Sequence, residues 1–230
     1  MSALYASVDV NDPRSPKGGL PDKYVRDRLR MLLSVDRGIG AVIKALEARG
    51  ILDETVFIVT SDQGFFYGEF GLAQERRLAY EPSTHIPLIV RYPGVVPAGV
   101  KPNALASNAD IAPTMLELGG TSIPATMDGR SLLRALRNDS TAIRDELLIE
   151  YYSDTEFPRL KGMGYKAVRT DRYQYIRYDE LTGMDELYDL QADPHELRNL
   201  LPDQAPAGVN DELSARLDRL LQRPTGKRTP

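Results

Sequence analysis

The sequence contains no cysteine, and this absence excludes several kinds of chemistry. Disulfide bonds, thiolate catalysis and cysteine-based zinc sites are all ruled out for this chain. It also has no run of about 18 apolar residues, the length that a membrane-spanning helix requires. The formal net charge of -4 disfavours a nucleic-acid partner, because a phosphate backbone is bound by a basic surface. An anionic substrate is still compatible with a local positive pocket.

A secretion signal is also missing from the first residues. Met1 is not followed by a basic segment and an apolar run. Either the chain is cytoplasmic, with Met1 as the true start, or the true N-terminus lies elsewhere. The 42% of hydrophobic and 27% of charged residues are typical of an ordinary globular protein.

The N-terminal part has the helix-and-strand pattern of an α/β fold. Apolar residues at intervals of three, four and seven predict one long helix: Val25, Leu29, Leu32, Ile39, Val42, Ile43 and Leu46. The charged residues of this helix, Arg28 among them, predict a solvated face with i, i+4 pairs. The β-branched run 55–60 predicts a strand buried on both faces of a parallel sheet.

Further elements follow along the chain. Strands are predicted at 87–92 and 104–107, and a helix at 110–118 with Asp110 as its N-cap. Near residue 140 the pattern changes to strands rich in Tyr and Arg, predicted at 146–152, 166–170, 173–178 and 186–190, with a final amphipathic helix at 213–221. We therefore predict an α/β domain over residues 1–140 and a small antiparallel-sheet subdomain with a terminal helix over residues 141–230.

The segment Ser61-Asp62-Gln63-Gly64 directly follows the first predicted strand. Ligands of open α/β sheets bind outside the carboxyl ends of strands. Asp62 and Gln63 together supply two hard oxygen atoms, which Ca²⁺ and Mg²⁺ prefer. The alternative is that Asp62 caps the next turn and Gly64 makes it.

Several segments in a fixed order resemble the sulfatases of the alkaline phosphatase superfamily, over roughly residues 24–201. The matching segments are Ser61-Asp62-Gln63-Gly64, Gly68-Glu69-Phe70-Gly71-Leu72, Arg76-Arg77, Tyr80-Glu81-Pro82-Ser83, Ile86 to Pro93, Asp110 to Leu116, Asp128 to Leu132 and Glu186 to Leu200. The resemblance implies a partial sulfatase-type sheet covered by helices and metal-dependent hydrolysis of a sulfate ester.

The resemblance also implies roles for individual residues. Asp62 and Gln63 match positions that ligate a divalent cation, usually Ca²⁺, with Mg²⁺ as the alternative. Arg76 matches the family's sulfate-neutralising lysine when the chain is aligned from Pro87, whereas alignment from Gly71 places Glu75 there. A solvated surface role for Arg76 stays open. His85 is either a proton donor that faces the pocket or a residue that orients the loop.

Two departures from the family pattern limit these expectations. Phe70 stands where the family usually has His. The Cys/Ser-x-Pro-Ser-Arg motif, which yields the formylglycine nucleophile, is not encoded here, and two N-terminal aspartate ligands are missing. We expect no turnover by this chain alone.

Three functional hypotheses remain open from the sequence. The first is a sulfatase that acts on a sulfated small molecule or glycan. The others are a non-catalytic remnant of the fold and a phosphate or phosphonate ester hydrolase of the same superfamily. The chain is expected to need an oligomeric partner or its missing N-terminal half, because an incomplete sheet exposes apolar edges.

Overall fold

The computed structural model describes residues 21–72, 75–139, 143–152 and 161–222. The chain divides into two compact units between Ala98 and Gly99. The sequence-based boundary at residue 140 rests on a change in strand pattern and stays a prediction. Within the described ranges, no helix is long and apolar enough to cross a bilayer.

The N-terminal unit begins with the long helix that the apolar pattern predicts. Helix α1 covers Asp22–Ala48 and has Asp22 in its first turn, where a negative charge is favourable. After Arg49 the backbone turns at Gly50, which has a φ of +66°. A positive φ suits glycine at the end of a helix. None of the residues of α1 is buried in this structure.

Two short strands in this unit form an antiparallel pair. Strand β1 (Phe57–Thr60) pairs with β2 (Leu88–Arg91), with Thr60 opposite Leu88. The prediction of both strands is confirmed, but the parallel arrangement is wrong for the described residues. The chain reverses between the strands through a one-turn helix, α2 (Glu81–Thr84), so β2 returns alongside β1.

The C-terminal unit is built around a four-stranded antiparallel sheet. Two helices come first, α3 (Ile111–Leu118) and α4 (Leu133–Leu136). The strands follow in spatial order: β3 (Glu146–Tyr151), β4 (Tyr165–Thr170), β5 (Tyr173–Tyr178) and β6 (Glu186–Asp189). The helix α5 (Val209–Gln222) completes the unit. The predicted antiparallel sheet and terminal helix are confirmed.

The core of this unit lies between α5 and the sheet. The leucines at 213, 217 and 220 share one helix face and pack on side chains of β4, β5 and β6, namely Val168, Tyr175 and Leu187. Each fully buried leucine contributes roughly 1.5–3 kcal/mol to folding.

One local prediction in this unit is wrong, and a second is right in position only. The segment 104–107 forms no strand, because Ser107 instead caps a 3₁₀ turn at Asn108–Asp110. Asp110 stands at the N-cap position of α3, as predicted, but its side chain makes no capping hydrogen bond to that helix. Its buried carboxylate accepts hydrogen bonds from the backbone N–H groups of Ser107 and Arg130, at 2.8 Å each, and pairs with the Arg144 guanidinium.

Candidate active-site loop

The Asp62–Gln63 pair lies directly beyond the end of β1, as the sequence predicts. The Asp62 carboxylate accepts a hydrogen bond from the Gln63 N–H at 2.9 Å. The Ser61 hydroxyl donates to the Gln63 carbonyl at 2.8 Å, which tightens the same turn. Both side chains are exposed, so their oxygen atoms face solvent. Asp62 thus shapes the turn, as the capping alternative requires, and also presents a carboxylate at the surface.

Gly64 fixes this turn against the segment before β2. The Gly64 N–H donates to the Ser83 carbonyl at 2.7 Å, and the Phe65 N–H donates to the Pro82 carbonyl at 2.8 Å. A Cβ atom at position 64 would lie 2.0 Å from the Pro82 carbonyl oxygen. Only glycine permits this approach, so the Gly of the motif is required by packing.

The segment that carries Arg76 is attached to the same structure. The Phe66 N–H donates to the Glu75 carbonyl at 3.0 Å, and the Ser83 hydroxyl donates to the Arg76 carbonyl at 2.5 Å. The Glu75 side chain is buried and accepts from the N–H groups of Arg76 and Arg77, at 2.8 and 2.9 Å. The Glu75 carboxylate therefore stabilises the loop in which it lies, whereas the Arg76 side chain is exposed. The choice of Arg76 as the sulfate-binding cation stays a prediction.

His85 follows α2 and lies at the surface. Its side chain is 78% exposed, and Nδ1 lies 3.0 Å from an oxygen of Glu81, one helical turn earlier. The described contacts of the side chain place it beside Glu81, and the proton-donor role stays a prediction.

An aromatic cluster stands behind the loop, and no sequence pattern predicts it. The ring of Phe70 stacks on that of Tyr80 with centroids 4.6 Å apart, and Phe66 contacts both. Phe70 has a left-handed backbone with a φ of +57°. Such a conformation costs about 1–3 kcal/mol and persists only where the surrounding structure offsets that cost. The position where the family usually carries His is therefore used here for packing.

A second cluster joins α1 to the loop and corrects the expectation that Arg28 lies on the solvated face of the helix. The predicted pairing on the exposed face is present, as Lys23 contacts Asp27 at 2.6 Å. Arg28 instead lies over the Phe65 ring, 3.7 Å from its centroid, and its Nε donates to the Tyr67 hydroxyl at 3.4 Å. The sequence held one indication of this cluster, because two aromatic residues directly follow the Ser61-Asp62-Gln63-Gly64 segment.

The loop offers the type of oxygen ligand that a hard cation prefers, but too few of them to hold it. Asp62 and Gln63 offer carboxylate and amide oxygens, which Ca²⁺ accepts. Ca²⁺ takes about six to eight oxygen ligands. Within the described part of the chain, no group of three or more His, Asp or Glu side chains is arranged to hold a metal ion. A complete site would therefore draw ligands from beyond these residues.

A cavity of about 470 Å³ in the C-terminal unit is a weaker candidate for an anion site. Its two arginines are already paired, Arg144 with Asp110 and Arg216 with Glu212. An anionic ligand would have to compete with these carboxylates. The lining also includes acidic Asp145.

The matching segment from Glu186 to Leu200 has a structural role in this unit. Glu196 is buried and its carboxylate accepts from the Gln174 amide at 2.6 Å. The Asn199 side chain accepts from the N–H groups of Leu187 and Leu201, at 3.0 Å each. Arg172 pairs with Asp189 at 2.7 Å and holds the pKa of that carboxyl below its ordinary value. These polar groups tie the loop after β6 to the sheet.

Comparison with known proteins agrees with this arrangement of a mixed α/β unit and an antiparallel-sheet unit. The family model described as Sulfatase matches residues 5–121, and the one described as N-sulphoglucosamine sulphohydrolase, C-terminal, matches residues 68–223. The chain is 36% identical over 197 residues to the N-acetylglucosamine-6-O-sulfatase of Bacteroides thetaiotaomicron, covering 85% of the chain and 35% of that relative.

Solved structures also match this chain over most of its length. A protein in complex with its substrate D-glucosamine-2-N,6-O-disulfate matches with a TM-score of 0.80 and 32% identity, over 90% of this chain and 42% of that one. A phosphonate monoester hydrolase from Silicibacter pomeroyi matches with a TM-score of 0.68 and 30% identity, over 82% of this chain and 38% of that one.

The chain belongs to the sulfatase family, of the alkaline phosphatase superfamily. It spans about a third of the length of the curated relatives that it matches, 35% in the Bacteroides case.

Proposed function

We propose that the complete protein hydrolyses a sulfate ester on an amino sugar of a glycan, and that this chain supplies part of its metal and sulfate site. The similarity to N-acetylglucosamine-6-O-sulfatase over 85% of the chain carries the proposal. The related structure with a bound glucosamine disulfate supports the same substrate class. The exposed oxygens at the end of β1 and the exposed Arg76 on the attached loop are consistent with it.

In this proposal the residues of the loop hold and orient the substrate. Asp62 and Gln63 would hold a divalent cation, Ca²⁺ by resemblance and Mg²⁺ as the alternative. When bound, such a cation stabilises negative charge on an ester oxygen. Arg76 would neutralise the sulfate, for which a guanidinium is suited. Gly64 keeps both segments together through its hydrogen bond to Ser83.

The nucleophile has to come from other polypeptide, since the formylglycine motif is not encoded in this chain. We therefore expect the 230-residue chain with Ca²⁺ to give no multiple turnovers of an aryl sulfate. Repeated turnover by the pure chain would contradict this assignment.

The positive test uses the complete protein, assayed on N-acetylglucosamine 6-sulfate. Asp62→Asn should lower kcat/KM at least 100-fold, because a lost metal ligand weakens charge stabilisation in the transition state. Asp53→Asn is the matched control, since this exposed carboxylate pairs with Arg91 at the opposite end of β1 from the loop. Equal losses in both variants would show a general effect on folding.

The structural match to a phosphonate monoester hydrolase favours a second candidate, hydrolysis of a phosphonate or phosphate ester. The two candidates share a metal-held tetrahedral anion and differ in the reacting atom. The ratio of kcat/KM for an aryl sulfate and for an aryl phosphonate monoester, measured on the complete protein, decides between them. A ratio that favours the phosphonate would displace the sulfatase proposal.

A further inference from the structure

We propose that Arg28, held by Phe65 and Tyr67, forms a second anion-binding site that recognises a non-reacting sulfate or carboxylate of the substrate. This inference rests on the proposed function and adds a specificity-determining residue to it. Tyr24, Arg28, Phe65 and Tyr67 together form the Arg28 cluster.

The guanidinium of the Arg28 cluster is fixed in position by aromatic rings. Arg28 and Tyr24 are one helical turn apart on α1, so both reach the same side of the helix. The Tyr24 ring stacks on the Phe65 ring with centroids 6.4 Å apart, and the Arg28 guanidinium lies 3.7 Å from the Phe65 centroid. The Tyr67 ring meets Phe65 edge-on at 5.2 Å. An arginine held over a ring loses little further freedom when its N–H groups bind a ligand.

The charge of Arg28 is not offset by an acidic neighbour. In the described part of the chain, no ion pair joins Arg28 to a carboxylate, and its side chain interacts with the hydroxyl groups of Tyr67 and Tyr24. The hydrogen bond to Tyr67 also raises the pKa of Arg28 above its ordinary value. Arg30 on the same helix pairs with Asp27 at 3.2 Å, whereas Arg28 combines a fixed position with an available positive charge.

The Arg28 cluster also lies close to the candidate metal ligands. Phe65 follows Asp62 by three residues, which span at most about 11 Å even when fully extended. The Phe65 N–H is fixed to the Pro82 carbonyl, within the same hydrogen-bonded loop as Gly64. The proposal requires that a sugar whose reacting sulfate lies at the Asp62–Gln63 pair spans the distance from there to Arg28 with its second anionic substituent. A bidentate contact with an oxyanion is the interaction that a guanidinium makes best.

The experiment compares binding of glucosamine 6-sulfate and glucosamine-2-N,6-O-disulfate to the full chain, with Ca²⁺ present and protein at low micromolar concentration. The disulfate should bind about tenfold more tightly, which is the scale of one hydrogen bond to a charged group. Arg28→Gln should abolish this preference and leave the affinity for the monosulfate unchanged. Arg28→Lys should restore only part of it, because an ammonium lacks the planar fork. Arg30→Gln is the matched control and should behave as the original chain.

Three outcomes would overturn the proposal. They are equal binding of the two sugars by the original chain, a preference that survives in Arg28→Gln, and a loss that is equal for both sugars. A lower melting temperature in Arg28→Gln with an unchanged preference would overturn it as well, since Arg28 would then only attach α1 to the loop.

A second measurement tests the Arg28 anion site independently of the proposed function. If neither sugar binds, the incomplete metal site of this chain accounts for the result, and inorganic sulfate becomes the probe. Modification of arginines by phenylglyoxal, mapped by mass spectrometry, should then slow at Arg28 and not at Arg30 as sulfate is added. Protection of Arg28 supports an anion site independently of sugar chemistry, and unchanged modification rates overturn it.

Discussion

Gly64 cannot accept a side chain, because the atoms nearest to the position of a Cβ belong to the backbone of another segment. A Cβ atom there would lie 2.0 Å from the Pro82 carbonyl oxygen, and a backbone atom cannot rotate away as a side chain does. We predict that Gly64→Ala lowers the free energy of unfolding by about 2 kcal/mol or more, as overpacking and a lost hydrogen bond combine. Urea unfolding monitored by circular dichroism measures the change.

Gly38 provides the matched control for this substitution. It lies inside α1, and a Cβ atom there would meet no other atom within 4 Å. Gly38→Ala should therefore stabilise the chain by about 1 kcal/mol, because alanine favours the helix. Similar stability changes in both variants would mean that the close contact at Gly64 is absent in solution.

Ionisation of the Tyr175 phenol affects the stability of the C-terminal unit. Burial, followed by its hydrogen bond to Asp185 at 2.8 Å, raises the pKa of this phenol from its ordinary value of 10 to about 12. Between these values the unfolded chain has lost the proton and the folded chain retains it. The free energy of unfolding should therefore fall as pH rises from about 10 to about 12, by up to about 1.4 kcal/mol per pH unit.

Tyr175→Phe tests the assignment of this pH dependence. The variant has no phenol to ionise, so its unfolding free energy should fall less steeply over the same interval. Urea unfolding at closely spaced pH values measures both slopes. Equal slopes for the two proteins would show that other groups cause the loss.

At the level of elements, the segment before α3 depends on one buried carboxylate. Asp110 is fully buried, and its carboxylate contacts Arg144 and two backbone N–H groups from different loops. We predict that Asp110→Ala lowers the free energy of unfolding by about 3–5 kcal/mol, because Arg144 would keep a buried and uncompensated charge. Chemical denaturation provides the measurement.

Asp139→Ala is the control for that prediction, as its partner Arg134 is 64% exposed. A surface pair of this kind contributes about 0–1 kcal/mol. Comparable losses in the two variants would show that burial of the Asp110 pair has no special effect.

The elements were more predictable from the sequence than their pairing. The strands from 146 to 189 and the helix α5 follow from local alternation and periodicity, which depend on neighbouring residues. The direction in which β1 and β2 pair depends on how the chain returns between them, and short apolar runs carry no such information. The strand predicted at 104–107 is absent, and Asp110 holds the N-cap position without a capping bond, for a related reason. The Ser107 side chain caps a turn, and the Asp110 carboxylate pairs with the distant Arg144.

The site was predictable only to the extent that it lies in one short segment. Asp62, Gln63 and Gly64 are adjacent, so their common location followed from the sequence. Arg28 is 37 positions before Phe65 (65 − 28 = 37), and their contact arises only when α1 folds back on the loop. A charged helix face gives no indication of which arginine faces an aromatic ring.

At the scale of the whole molecule, α1 presents apolar side chains that are left exposed among the described residues. Large apolar side chains along it are more than half exposed: Leu29, Met31, Leu32, Leu33, Val35 and Val42. They lie on more than one side of the helix, and a helix that is apolar on several sides is normally buried. The chain spans 35% of its Bacteroides relative, so this relative has further polypeptide that could cover such a surface.

We predict that the isolated chain associates in solution through this helix, because association removes its exposed apolar side chains from water. Light scattering should show species larger than a monomer. Leu29→Glu combined with Leu32→Glu should shift the chain towards monomer, since each buried leucine contributes favourably to association and a buried charge opposes it. Leu197→Glu is the control, because that leucine is 75% exposed outside α1 and should leave the assembly unchanged. A monodisperse monomer with a sharp, cooperative melting transition would contradict the prediction and would mean that α1 is stable without a covering partner.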